Sequence, residues 1–226
     1  MFQTRKDTVY VILAGIFITN AIVAELIGGK LIYVGPYLMS VGILPWPIVF
    51  ITTDLINEYF GEKGVRKLSV ITASLIAYCF VVLFIAMQIP AVKGDGLVND
   101  DQFTAVFGQS MWIIVGSITA FLISQLIDIT IFHFVKNRTG KKMIWLRSTG
   151  STVISQFFDS FIVLGIAFYA TGKMDTPTYI ASGLTGYFVK LIIAICLTPL
   201  IYLGHSMIEK YISNDKAILH GQKDTL

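Results

Sequence analysis

Two segments that are otherwise as apolar as a membrane span carry the same polar pattern: Ser124-Gln125-x-x-Asp128 and, 31 residues on, Ser155-Gln156-x-x-Asp159. A carboxylate at the centre of a membrane helix costs about 2.5–3.5 kcal/mol on insertion scales, so such a group is kept for a purpose. The chemistry these residues offer is recognition. A carboxylate accepts a paired N–H edge, while Gln donates and accepts. Metal cations or protons would also suit Asp and Glu. The structural alternative is a set of Ser and Gln hydrogen bonds that hold helices together. It accounts for Ser and Gln but leaves two Asp residues with no Lys or Arg expected at their depth. No HExxH, GxSxG or GxxxxGK[ST] pattern occurs, so the chain reads as a non-enzyme without a nucleotide motif. Cys79 and Cys196 lack metal or redox spacing and read as small buried hydrophobes, and no metal or cofactor is expected.

The elements that position these groups follow from composition. Of 226 residues, 55% are hydrophobic and 14% charged, with a mean hydropathy of +0.74. Soluble domains carry about a quarter charged residues. The apolar residues fall into six blocks of roughly membrane-spanning length, at about 8–29, 45–60, 68–89, 110–135, 150–171 and 182–207. The expected fold is therefore an all-α integral membrane protein, a single domain over residues 1–226 built as a six-helix bundle, with 212–226 as a cytoplasmic tail. The first block, with Asn20 and Glu25 and no small-residue cleavage site, reads as a retained helix rather than a signal peptide.

Thirteen of the 17 basic residues fall on one set of helix ends, including Arg5, Lys6, Lys63, Arg66, Lys67, Lys136 and Arg147, against Lys93 and Lys173 on the other. This asymmetry predicts both termini in the cytoplasm. It also explains the net charge of +3 without a nucleic-acid partner; the bilayer is the expected partner, and a homodimer is left open. Residues 31–45, apolar with Gly and Pro, are expected at the outer interface or folded back as a plug, and residues 90–109, with Asp95, Asp100 and Asp101, as a solvated loop.

Further intramembrane polar groups join the candidates. Asp54, Asn57 and Glu58 stand at i, i+3 and i+4 on a span of 16 residues, short for a hydrocarbon core of about 30 Å. Short, Pro-flanked polar spans point to transporter sites, although Glu58 also suits the cytoplasmic interface. Gly116, Ala120, Ser124 and Asp128 form an i+4 stripe that turns Asp128 inward. Gly183, Gly186, Lys190, Ala194 and Thr198 do the same for Lys190, whose mid-span charge is expected to pair with Glu25 or to serve the site with Glu25 and Asn20. Pro199 is expected to kink the last helix, and His133 and His205 to sit at the interface. Counted from the basic loops, Asp128 and Asp159 differ in depth by about 6 Å and are expected to form one polar layer. Aromatic neighbours expected around it are Tyr59, Phe60, Phe157, Phe158, Tyr187 and Phe188. Together the groups suit a flat, donor-rich heterocycle.

The run Ile51-Thr52-Thr53-Asp54-Leu55-Ile56-Asn57-Glu58-Tyr59-Phe60-Gly61, the paired SQxxD motifs and the segment from Asn20 to Lys30 resemble the queuosine precursor transporter family, within the vitamin uptake transporter group. The resemblance covers about residues 19–211. It implies a bacterial-type inner-membrane importer of 7-deazaguanine precursors such as 7-cyano-7-deazaguanine and 7-aminomethyl-7-deazaguanine, working by secondary or facilitated transport. It also implies a fold similar to the substrate-binding subunits of energy-coupling-factor transporters. Asp128 or Asp159 would accept the guanine-like edge, with Gln125, Gln156, Asp54 and Asn57 completing the site and Asn20, Glu25 and Lys190 in the outer half. The alternative is a binding subunit that needs a separate ATPase module, for a different heterocyclic vitamin or nucleobase.

Overall fold

The computed structural model describes residues 4–34, 37–92, 94, 96–108, 111–140 and 143–223; Lys93, Asp95, Lys141, Lys142 and the last three residues lie outside them. Among the described residues the α-helices are α1 (Arg5–Ile27), α2 (Trp46–Met87), α3 (Asp100–Phe107), α4 (Met111–Thr139), α5 (Ile144–Leu164) and α6 (Thr176–Lys223). Among the described residues, five segments are long and apolar enough to cross a membrane, those of α1, α2, α4, α5 and α6. The molecule is a multi-pass helical membrane protein.

Local chemistry sets several boundaries. The Thr4 hydroxyl accepts from the Asp7 N–H at 3.1 Å while Asp7 accepts from the Thr4 N–H, a capping box that starts α1. Asn99 and Gln102 do the same for α3, so the solvated loop expected over 90–109 contains a short helix with Asp100 and Asp101 in its first turn. The segment expected at the outer interface or as a plug is a hairpin, β1 (Leu31–Val34) paired antiparallel with β2 (Tyr37–Ser40) in the register Leu31 with Ser40. It is pinned to the end of α1 by the Ser40 hydroxyl, which donates to Gly28 O at 2.7 Å. Between α5 and α6 the chain makes a short π-helical segment at Gly165–Tyr169.

The second and third apolar blocks fall on one helix, α2, of 42 residues. A straight helix of that length would measure about 63 Å, twice a hydrocarbon core. It is not straight: Gly61 has φ 75° and ψ 176°, a conformation open in practice only to glycine, and it divides α2 into a first arm ending at Phe60 and a second beginning at Glu62. The break lies beside the start of α1, where the Tyr10 ring packs at a tilt on Phe60 and its hydroxyl donates to Gly64 O. Late α6 reaches the same end, through Tyr59 against His205 and Arg5 against Tyr211. The opposite end of the bundle carries the hairpin.

The core is formed by Phe17 and Ala21 of α1, Val49, Ile56, Leu68, Ile76 and Phe80 of α2, and Phe121 and Ile129 of α4. The exposed apolar residues, among them Val81, Ile85, Phe188, Ile192 and Leu203, suit a lipid surround. Cys196 is on that exposed side and Cys79 is half-buried, so neither is the buried hydrophobe expected. The small-residue stripes do face protein: a Cβ on Gly116 would stand 3.2 Å from Val163 O of α5, and one on Gly183 would stand 2.6 Å from the Phe161 ring. Pro199 lies within α6, which continues past it.

The break at Gly61 is testable. Nothing lies within 4 Å of a Cβ built there, so Gly61→Ala should cost only backbone strain, about 1–3 kcal/mol. Gly64→Ala, in a helical position with ordinary contact to Phe60, should be neutral or stabilise by up to about 1 kcal/mol. Thermal unfolding in detergent compares the two.

Candidate functional site

The two SQxxD motifs meet across antiparallel α4 and α5, and they bond crosswise. The Ser155 hydroxyl donates to Asp128 Oδ1 at 3.2 Å, and the Ser124 hydroxyl donates to Asp159 Oδ1 at 3.3 Å. In an antiparallel pair the Ser of one motif stands level with the Asp of the other. The two carboxylates are therefore staggered by about one helical turn, some 6 Å, and do not share one level. The stagger equals the depth difference counted from the basic loops, and the layer expected there resolves into two steps.

Asp128 occupies the first step. It is 7% exposed, accepts a second, longer hydrogen bond from Thr152 at 3.5 Å, and forms no ion pair among the described residues. Around it a narrow pocket of about 290 Å³ is lined by Trp46, Phe50, Thr53, Ser124, Gln125, Thr152, Ser155 and Gln156. Gln125 donates to the Thr53 hydroxyl at 3.4 Å; Gln156 makes no hydrogen bond among the described residues. Trp46 and Phe50 stack with centroids 5.9 Å apart and form one wall. The pocket has room for about one water, so a ring-sized ligand would need its walls to move apart.

Asp159 occupies the second step, toward the hairpin, and forms an ion pair with Lys190 of α6. That corrects two expectations, a Glu25–Lys190 pair and an inner layer free of cations. The physical reason is adjacency: α6 packs on α5, so Lys190 meets the nearest α5 carboxylate. Glu25 accepts instead from the Ser117 hydroxyl at 2.6 Å, within electrostatic range of Asp159 and Lys190. Asn20 donates to Ile16 O of its own helix and is not brought to the pocket.

Toward the Gly61 end, the predicted face of Asp54, Asn57 and Glu58 finds a partner for each residue, although Asn57 Nδ2 is buried without one. Asp54 accepts from Ser148, and Asn57 Oδ1 contacts His133 Nε2 at 3.3 Å. Glu58 pairs with Arg147 at 2.7 Å and with Lys136 at 3.1 Å. Arg147 is 1% exposed, donates to Gly140 O at 2.8 Å and has the Phe132 ring 5.8 Å away. Arg147 was counted with the basic loop; it lies inside the bundle because α5 begins earlier than expected, at Ile144. His133 and His205 likewise have side-chain partners, His205 through Tyr59 Oη at 2.6 Å. Neither Asp54 nor Asn57 lines the pocket.

The aromatic expectation also changes. Phe157, Phe158 and Phe188 are exposed, Phe60 packs on Tyr10, and the pocket takes Trp46 and Phe50. The signal was present in spacing: Trp46, Phe50, Thr53 and Asn57 run at i+4, i+3 and i+4 on one face of the first arm, and Ser148, Thr152 and Ser155 do so on α5.

A family described as "Putative vitamin uptake transporter" matches residues 40–204, nearly three quarters of the chain. The chain belongs to the vitamin uptake transporter family. Two curated relatives agree in description. A "Probable queuosine precursor transporter" of Bacillus subtilis (strain 168) is 27% identical over 171 residues, covering 75% of this chain and 72% of the relative. A protein of the same description from Haemophilus influenzae is 29% identical over 160 residues, covering 69% of this chain and 63% of the relative. No solved structure matches the chain significantly. The matched region contains the pocket, both SQxxD motifs and the Gly61 break.

The Glu58–Arg147 pair yields a stability test. Glu58→Gln leaves a buried guanidinium without its carboxylate and should destabilise by about 3–5 kcal/mol, whereas Glu58→Gln with Arg147→Met removes both charges and should recover most of the loss. Thermal unfolding of the purified variants measures both.

Proposed function

We propose that this transporter imports queuosine precursors, 7-deazaguanine bases such as the 7-cyano and 7-aminomethyl compounds, by secondary or facilitated transport, and that it is not an enzyme. The observation that carries the reading is Asp128: a carboxylate with hydroxyl donors but no paired cation, set in a pocket between two amides and an aromatic wall. A guanine-like N1–H and 2-amino edge is a donor pair that a carboxylate accepts, the Gln125 and Gln156 amides can meet the remaining polar atoms, and Trp46 and Phe50 can stack on the ring. The descriptions of the two relatives favour the same substrate class. Asp159 and Lys190 act from the second step; Glu25 and Asn20 belong to the outer half, and Asp54 with Asn57 supports the pocket from below.

The same reading includes topology. The chain crosses the inner membrane six times with both termini cytoplasmic, the two arms of α2 each making one crossing. Three facts support it: the length of α2, the break at Gly61, and the approach of early α1 and late α6 to that break, where Lys63, Arg66 and Lys67 also lie. The tight pocket suits a resting conformation that opens to admit substrate.

Uptake of labelled precursor by cells lacking their own importer and synthesis route is the direct test. Asp128→Asn, inserted at normal levels, should reduce uptake at low substrate about 10-fold or more, since a hydrogen bond to a charged group contributes about 1.5–3 kcal/mol. Trp46→Ala should raise KM by a smaller factor, about 2- to 10-fold, in line with about 0.5–1.5 kcal/mol for an aromatic contact. Normal uptake by Asp128→Asn overturns the site. Transport in liposomes without ATP or another protein supports the secondary mechanism; a strict need for an ATPase module establishes the binding-subunit alternative.

A further inference from the structure

We propose that the Glu58–Arg147 and Asp159–Lys190 ion pairs are the two gates of the Asp128 pocket, one at each end, opened in alternation as substrate passes. The inference rests on the transport reading, but its geometry does not depend on which substrate is carried.

Along α5 the two pairs stand on opposite sides of the pocket, and the positions of their neighbours on α4 and α2 agree. On α5 the lining residues are Thr152, Ser155 and Gln156; Arg147 lies five residues before them and Asp159 three residues after. At 1.5 Å per residue the two charged residues are about 18 Å apart along the axis, with the pocket between. On α4 the lining runs from Ser124 to Asp128, and Lys136, the second partner of Glu58, stands about 12 Å beyond Asp128. Ser117, which holds Glu25 near Asp159 and Lys190, stands about 10 Å before Ser124. On the first arm of α2, Thr53 lines the pocket and Glu58 follows it by five residues toward Gly61.

Each pair also ties together helices that must separate for the pocket to open at that end. Arg147 of α5 and Lys136 of α4 converge on Glu58 Oε2 of α2, and Lys136 also donates to the Glu58 carbonyl. At the hairpin end, α6 is held to α5 by Lys190, and α5 to α4 by the Ser124 hydroxyl on the other oxygen of Asp159. Ser124 lines the pocket, so a substrate that recruits its hydroxyl competes with Asp159 and loosens that gate. At the other end Ser148 binds Asp54 directly beside Arg147, one turn below Thr152.

Stability does not explain two such pairs. Replacing a buried ion pair by well-packed apolar groups is often neutral or stabilising, so its retention points to a role in switching between arrangements. Both pairs are formed here, and the pocket between them has room for about one water. A tight pocket with both pairs formed is what two engaged gates produce.

The test needs no substrate. In a background with Cys79→Ala and Cys196→Ala, a single reporter Thr53→Cys is placed in the pocket wall of the full chain in sealed, oriented proteoliposomes. A membrane-impermeant maleimide is then applied from either face. With both pairs intact the reporter should label slowly from both faces. Asp159→Asn with Lys190→Met should speed labelling on the order of tenfold from one face only, and Glu58→Gln with Arg147→Met from the opposite face only, as a decade shift in the open population requires. Both variants remove two opposite charges; Lys136 loses the Glu58 carboxylate but is partly exposed and keeps its hydrogen bond to the Glu58 carbonyl. Labelling of both variants from the same face, from both faces, or from neither overturns the proposal. The charge-reversed pair Asp159→Lys with Lys190→Asp should restore slow labelling; failure to do so while the neutral variant labels fast also counts against a pairwise gate. A failed uptake assay with normal gating would fault the substrate reading alone.

Discussion

The crosswise bonding of the two SQxxD motifs is the interaction on which the rest of the structure depends. Ser155 holds Asp128 and Ser124 holds Asp159, so α4 and α5 are locked in a register that staggers two carboxylates by about a turn. The stagger gives the carboxylates separate duties. Asp128 is left facing a pocket without a cation, while Asp159 is brought to Lys190 and becomes part of the contact with α6. Had the helices met one turn out of register, both Asp residues would be parted from these hydroxyls, and buried carboxylates without donors are costly. Gly116 and Ala120 make the register affordable by letting the helices approach closely.

The second constraint is the glycine break in α2. It ends the first arm where Glu58 is offered to Arg147 and Lys136, and it does so with a backbone conformation that needs no Cβ. The first arm is then short enough to present one continuous polar face, from Trp46 through Thr53 and Asp54 to Glu58, to the α4–α5 pair. Nearly every polar side chain on that face finds a partner on one of those two helices: Thr53 with Gln125, Asp54 with Ser148, Asn57 with His133, Glu58 with Arg147. The pocket sits at the point where this ladder is interrupted by the aromatic pair.

The charged residues within the bundle thus divide by position. At the Gly61 end and the hairpin end they are paired across helices; between them Asp54 and Asp128 accept from hydroxyls without an ion pair among the described residues. On the proposed transport reading, paired charges at the two ends with hydroxyl-served carboxylates between them suit a conduit whose centre recognises a donor-rich molecule.

The membrane class, the helical blocks, the inward stripes on α4 and α6 and the identity of Asp128, Gln125 and Gln156 as candidates were legible in the sequence, because hydropathy, small-residue spacing and the cost of buried charge are local properties. The motif pattern also marked the family. What only the tertiary structure decided was partnership. Lys190 could reach Glu25 or Asp159 on spacing alone, and the packing of α6 against α5 selected Asp159. Arg147 read as a loop cation until α5 carried it inside to Glu58, and Trp46 with Phe50, rather than the aromatic residues beside the motifs, became the pocket wall once Phe157 and Phe158 turned outward. Local spacing states which face of a helix a residue occupies; which helix lies opposite that face is a property of the whole bundle, and a long-range ion pair or pocket exists only after that choice is made.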